Sequence, residues 1–402
     1  MDHELQAGKN FAWASIAQVV IRVIGAFFFF FLSYKLHEIG LGQYSFVYSY
    51  VPFWFFIVDF GATAYLYREW SKNLKTEKEI QHDLGTLITV RLFLASIIFI
   101  PFLLINYITN RDVYYSAIMF FFVTLMVMII QVFDYYLQSQ NSFKIFAKRQ
   151  IIEKGTAVLL GVALLMIWPK VEMVFLAAIM GMFAALYYYY RSRVIPFKIK
   201  MVWDLRGFWS LFKKSVPFFL GSIFITIYAR IDMTMLRYMD SYESVGWYSV
   251  AYKFIDLAVT FPGVLLMPAI FPILSSLYNA SDDKEKFNEF YKKICRILMV
   301  VGLGATLALI FYAPLIIRVF FTDSFGPSIL ALRILALSVV LGFISILFNQ
   351  LLLIQNREKT ALYIIMFGAF FNIGLNLILI PRYSLYGAAW ATVLAEGVNL
   401  LL

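Results

Sequence analysis

Charged side chains stand inside stretches that are otherwise apolar, and they are the residues of this chain with chemistry to offer. Arg22, Arg91, Arg230, Lys253 and Arg333 are the cations, and Asp59, Asp134, Asp232, Asp256 and Glu396 are the acids. A charge in hydrocarbon is costly, so each must face a bundle interior or a wet cavity, where it holds a substrate, passes an ion or pairs with another charge. Cations lining a cavity would hold an anionic group such as a diphosphate through charge-assisted hydrogen bonds. Carboxylates there would relay a proton or bind a cation, and ion pairing is the alternative for both sets. Spacing separates some of them. Arg230 and Asp232, two positions apart, point to nearly opposite faces of a helix and need different partners, whereas Lys253 and Asp256 share a face at i, i+3. At about 1.5 Å per residue, Arg22 and Glu396 fall near the middle of their spans, and Asp59 and Arg91 lie at similar depths that allow a pair. Arg296 and Arg318 stand near span ends, where long cations snorkel to the interface.

Several chemistries are excluded by absence. The 402 residues include one cysteine, Cys295, and three histidines, His3, His37 and His82, all three outside the apolar runs. Internal disulfides and Cys-rich metal sites are ruled out, and no cofactor is expected. There is no Gly-x-x-x-x-Gly-Lys-Ser/Thr phosphate loop, and no Ser-His-Asp or Cys-His arrangement that loops this short could assemble. A membrane glycosyltransferase or polymerase acting on lipid-linked sugars, the alternative from another class, would present a catalytic loop, and outward loops such as 238–244 and 322–327 are too short for one. The formal charge of +10 is carried mainly by loops beside apolar runs, which points to a membrane surface and not to nucleic acid.

The elements that position these residues are membrane helices. The chain is 62% hydrophobic and 14% charged, with mean hydropathy +0.78, far outside the range of soluble domains. A bilayer core of about 30 Å needs about 20 apolar residues per helix. Such runs place about twelve spans, at 11–33, 44–66, 84–105, 113–137, 151–168 and 171–190, then at 215–237, 245–275, 294–320, 328–353, 360–380 and 385–402. The fold class expected is an all-α integral membrane protein with two six-helix lobes, 1–205 and 206–402. Between them the basic linker 191–214 carries Arg191, Arg193, Lys198, Lys200, Arg206, Lys213 and Lys214 with Trp203, Phe208 and Trp209 interleaved. It reads as an amphipathic segment in the headgroup region of an anionic leaflet.

Loop charges set the orientation. The N-terminus and the loops after spans two, four, six, eight and ten hold 21 Lys/Arg, against four (Lys35, Arg111, Lys170 and Arg382) in the opposite loops. By the positive-inside rule both termini are cytoplasmic. The first helix reads as uncleaved, because no small-residue cleavage motif follows it. The halves also look like copies: Gly42-Gln-Tyr44-Ser45-Phe-Val-Tyr48 aligns with Gly246-Trp-Tyr248-Ser249-Val-Ala-Tyr252. Six spans per half make this a parallel repeat, which predicts a central cavity. Pro262, Pro268 and Pro272 predict a bent eighth span, since proline removes a backbone hydrogen bond.

Three blocks carry a resemblance. They are Gly40-Leu-Gly42-Gln-Tyr44 leading to Asp59-Phe-Gly61 and Arg68-Glu69; Arg230-Ile-Asp232 followed by Val245-Gly246-Trp-Tyr248-Ser-Val-Ala251-Tyr-Lys253; and Pro381-Arg-Tyr383-Ser-Leu-Tyr386-Gly387-Ala-Ala-Trp-Ala-Thr392. In their order and spacing the chain resembles the polysaccharide transporters, or O-antigen (Wzx-like) flippases, of the multidrug/oligosaccharidyl-lipid/polysaccharide exporter superfamily. The resemblance implies a V-shaped pair of lobes, similar to multidrug exporters, that moves a polyprenyl-(pyro)phosphate-linked oligosaccharide across the cytoplasmic membrane by alternating access. It implies membrane lipids and other polysaccharide assembly proteins as partners, and coupling to an ion, H+ or Na+, which the residues leave open. Two departures stand out: Ser384 occupies a place where glycine is expected, and the chain stops at Leu402 inside its last span, so an incomplete C-terminus is expected. Within the superfamily, a drug/cation antiporter and a lipid II flippase are the alternatives; the arginines argue against the first, and the extra two helices usual in the second are missing.

Overall fold

Lipid supplies no hydrogen bonds, so an apolar run must satisfy its backbone internally, and helix is the local solution. The computed structural model describes residues 2–72, 76–140, 142–192, 200–279 and 284–402, with side chains from position 17 onward except those of 205, 261, 264, 265, 268 and 269. Within these residues the chain forms α1 (Asp2–Trp54), α2 (Phe56–Asp59), α3 (Ala62–Ser71), α4 (Glu77–Thr109), α5 (Tyr114–Ser139), α6 (Phe143–Ile167), α7 (Val171–Ser192), α8 (Leu205–Met239), α9 (Tyr242–Phe261), α10 (Met267–Asn279), α11 (Lys284–Phe320), α12 (Ser328–Ile354) and α13 (Glu358–Leu401), with no strand among the described residues. The linker residues Arg193 and Lys198, and the side chains of His3, Lys9 and Pro268, lie outside what is described.

Nine of the described helices are long and apolar enough to cross a membrane. Two of these hold two crossings each. The 53 residues of α1 and the 44 of α13 would measure about 80 and 66 Å at about 1.5 Å per residue, at least twice a bilayer core of about 30 Å. Each is divided at one residue of positive φ, His37 (φ 55°) and Ser384 (φ 53°), which fall where the sequence places loops. One further crossing comes in two pieces, α9 and α10, joined by a π turn at Pro262–Leu266, within the span where the prolines predict a bend. The described residues are therefore all-α, with twelve crossings. Positive φ favours glycine, and Ser384 holds it by donating a hydrogen bond to Asp240 and meeting the Ser244 hydroxyl at 3.2 Å.

The second expected span departs from a single helix. After Trp54 it continues as α2 and stops at Phe60 (φ 35°) and Gly61 (φ 70°), both left-handed, before α3 begins. A Cβ at position 61 would collide with the backbone nitrogen of Phe219, so glycine serves both the turn and the close approach. Periodicity carries no trace of such a break, because the residues on either side remain apolar.

The residues divide into two compact units, Met1–Leu36 with Val47–Ile223, and His37–Phe46 with Phe224–Leu402. In the first unit α6 packs along α7 and α5 along α7. Its core is aromatic: Phe121 lies 4.6 Å from Phe55 and 4.9 Å from Phe102, ring centre to ring centre, distances that suit tilted ring pairs. In the second unit α12 packs against α9, α11 and α13. There the corner of α1 beyond His37 crosses the start of α9 through two glycines. A Cβ on Gly42 would strike the Tyr242 carbonyl, and one on Gly246 would strike the Glu38 carbonyl. Each glycine stands four residues beyond the residue that the other touches, so the matching Gly42 and Gly246 motifs meet as a reciprocal crossing.

Candidate functional site

In the first unit the broken second crossing carries Asp59 at the end of α2. Arg91 of α4 comes up behind it, with no exposed surface of its own. Its guanidinium donates to Asp59 and to Thr63 of α3, and Nη1 donates to the Met128 carbonyl of α5 at 2.6 Å. Thr63 in turn donates to Asp59 at 3.2 Å. The Asp59 side chain keeps 27% of its surface exposed. The pairing expected of Asp59 and Arg91 is formed, and it commits the Arg91 guanidinium to the protein instead of to a cavity.

Asp134 of α5 is closed in the same way. It accepts a hydrogen bond from Arg149 at 2.7 Å and from Tyr189, while Arg149 also binds Glu153, on which Lys154 rests at 2.9 Å. This network ties α5, α6 and α7 together. Sequence reasoning placed Arg149 in a loop and passed over Glu153, although Arg149 and Glu153 at i, i+4 were the available signal.

Arg22 is placed differently. It is half-buried on α1, and its Nε is buried without a hydrogen-bond partner among the described residues. Nearby in sequence, Gln18 donates to Gln150 of α6 at 2.8 Å. A guanidinium nitrogen left over in this way needs an anion or water in the membrane interior.

The second unit holds a buried carboxylate of another kind. Asp232 of α8, 5% exposed, accepts hydrogen bonds from Asn376 Nδ2 at 2.6 Å, Thr392 Oγ1 at 2.7 Å and Tyr248 OH at 2.9 Å. Asn376 also donates to Asn372 Oδ1 at 2.9 Å, and its own Oδ1 is buried without a partner. With Asp232 on α8, these partners come from α9 and both halves of α13. No lysine or arginine pairs with Asp232 among the described residues. The cluster is a cage of neutral hydrogen-bond donors around one negative charge, with the unpartnered Asn376 carbonyl beside it. A carboxylate with hydroxyl and amide oxygens near it is the hard donor type that can take up a proton or a cation. Asn372 and Asn376 were missed in the sequence; their i, i+4 spacing within an apolar helix was the only sign.

The remaining expected residues are scattered. Lys253 and Asp256 meet within α9 at 3.9 Å, with 28% and 46% of their side chains exposed, so they share a face as predicted. Arg230 is half-buried on α8, and Glu396 lies against Tyr228. Arg333 is exposed on α12, and its Nε donates to the Ile310 carbonyl of α11 at 3.2 Å. Pro314 stands four residues after Ile310 inside α11 and has no N–H to give it. The Arg333 Nε thus replaces a hydrogen bond that proline removes. No cluster of three or more His, Cys, Asp or Glu able to hold a metal occurs among the described residues.

Comparison with known proteins agrees with this architecture. The family described as Polysaccharide biosynthesis protein matches residues 7–278, and the MatE family matches residues 217–378. The probable low-salt glycan biosynthesis flippase Agl15 of Haloferax volcanii is 23% identical over 199 residues, 50% of this chain and 41% of that protein. The teichuronic acid biosynthesis protein TuaB of Bacillus subtilis is 24% identical over 280 residues, 68% of this chain and 56% of that protein. The chain thus spans about half the length of these two relatives. Among solved structures, the lipid II flippase MurJ superposes with a TM-score of 0.77 at 18% identity, covering 96% of this chain and 86% of that one. A multidrug resistance MATE transporter in an inward-facing conformation superposes with a TM-score of 0.65 at 16% identity, covering 96% of each. The chain belongs to the polysaccharide biosynthesis protein family, and it shares its fold with the lipid II flippase and MATE transporter structures.

Proposed function

We propose that this chain is a flippase of the cytoplasmic membrane, with both termini inside, that moves a polyprenyl-(pyro)phosphate-linked oligosaccharide by alternating access. The observation that carries this reading is Arg22, half-buried in a membrane crossing, whose Nε is buried without a hydrogen-bond partner among the described residues. A diphosphate supplies the charge-assisted hydrogen bond that this nitrogen lacks. Arg230 and Lys253 are the further cations proposed for the headgroup, and the polyprenyl tail stays in lipid. Asp232 binds the coupling ion: entry of a cation neutralises the carboxylate and gives the Asn376 carbonyl a partner, so the loaded and empty states differ in energy. The relatives support the glycan substrate, since Agl15 is named for glycan biosynthesis and TuaB for teichuronic acid biosynthesis.

The test is the leaflet distribution of the lipid-linked oligosaccharide in cells lacking this gene. Accumulation with the sugar confined to the cytoplasmic leaflet, restored by the wild-type chain and not by Arg22→Gln, is the expected result. Normal glycan display with altered drug sensitivity would instead establish drug/cation exchange, a second reading favoured by the MatE match across residues 217–378 and by the unpaired carboxylate of Asp232.

A further inference from the structure

The segment 200–214 joins a charged outer face to the break in the second crossing. Lys200, Arg206, Lys213 and Lys214 are exposed, and so are Trp203 (55%) and Trp209 (56%). On α8, Arg206, Trp209 and Lys213 recur at three- and four-residue steps and share one face, while Phe208 and Phe212 share the other. That second face is turned inward: the rings of Phe208 and Phe212 lie 5.5 and 5.9 Å from the ring of Phe60, which is 1% exposed. Phe60 is the left-handed residue beside Asp59. The segment is also fastened to α4. Trp203 meets Phe93 edge to face at 4.9 Å, a Cβ on Gly85 would strike the Lys200 carbonyl, and His82 lies 3.6 Å from Asp204.

We propose that segment 200–214 is a docking surface for anionic phospholipid headgroups, and that lipid bound there presses Phe208 and Phe212 onto Phe60 and holds the helix break that carries Asp59. The occupant follows from charge and ring chemistry. Four exposed basic side chains interleaved with exposed indoles match a leaflet of negative headgroups, where tryptophan sits at the polar boundary. Each basic residue near such a surface is worth about a fivefold factor in partitioning, so four together give a strong preference for an anionic leaflet. A left-handed phenylalanine is held only while its surroundings enforce it, and the two rings from the segment are part of what does so. Surface charge in the leaflet thereby sets how firmly Asp59 is presented. The inference rests on the segment lying at the membrane surface and is independent of what the protein carries.

The experiment is amide hydrogen exchange across residues 56–66 in the full chain, reconstituted into phosphatidylcholine nanodiscs with or without phosphatidylglycerol. Phosphatidylglycerol should slow exchange about fivefold or more in the wild type, an effect that high salt removes by screening. The combined variant Lys200→Gln, Arg206→Gln, Lys213→Gln and Lys214→Gln, whose changes are all on exposed positions, should exchange at one rate in both lipids. Phe208→Ala with Phe212→Ala should exchange fast in both. An equal slowing in wild type and the four-site variant, or no slowing in the wild type, would overturn the proposal. Glycan flipping is not measured, so its failure elsewhere leaves this result standing.

Discussion

Asp59 and Asp232 are both acids in membrane crossings, and their surroundings make opposite use of them. Asp59 has a fully buried guanidinium behind it, itself anchored to a hydroxyl and a backbone carbonyl. Its charge is cancelled inside the first unit. Asp232 is surrounded in the second unit by an amide, two hydroxyls and an orphan carbonyl, all neutral. Its charge is solvated but not cancelled. The difference teaches that burial alone does not assign a role to a membrane carboxylate. What decides is whether the countercharge is built in, and where it is not, the site has room for a mobile one.

The comparison breaks first at Arg91. Arg91→Leu leaves Asp59, Thr63 and the Met128 carbonyl without their donor, and removing one member of a buried pair costs about 3–5 kcal/mol. Thermal unfolding in detergent should show the largest loss for this variant, and Arg91→Leu with Asp59→Leu should cost less than the sum of the two. Asp232→Asn keeps neutral partners available and should fold, but it should abolish stabilisation by the coupling cation. For one site that stabilisation amounts to about 2.7 kcal/mol at a hundredfold excess over Kd, read as a cation-dependent shift in Tm. The glycine crossing comes next: Gly246→Val forces a side chain onto the Glu38 carbonyl, and overpacking of this kind costs about 1–3 kcal/mol. The smallest effect belongs to Arg333. Arg333→Met should cost about 1 kcal/mol by leaving the Ile310 carbonyl unmet, and the cost should vanish in a Pro314→Ala background, where the backbone regains its donor.

How far these roles were legible in the sequence depends on the range of the interaction. The spans could be read because lipid enforces about twenty apolar residues per crossing, and the corners at His37 and Ser384 fell between them. The Asp59–Arg91 pair could be anticipated from depth along two helices, since both charges had to find a partner. The break at Phe60–Gly61 could not, because it depends on Phe219 approaching from α8, a contact far away in sequence. Asn372 and Asn376 were silent for a related reason: an amide in a membrane helix is common enough, and only the arrival of Asp232, Tyr248 and Thr392 from elsewhere makes it part of a cage. The Arg333 contact was silent because the carbonyl freed by Pro314 lies on a neighbouring helix.

The most direct test of the account is transport in proteoliposomes containing the lipid-linked oligosaccharide, with an H+ or Na+ gradient imposed across the membrane. Wild-type protein should flip the lipid faster when the gradient is present, and Asp232→Asn should flip at one slow rate with or without it. Gradient-driven flipping that survives Asp232→Asn would contradict the assignment of the uncancelled carboxylate as the coupling site.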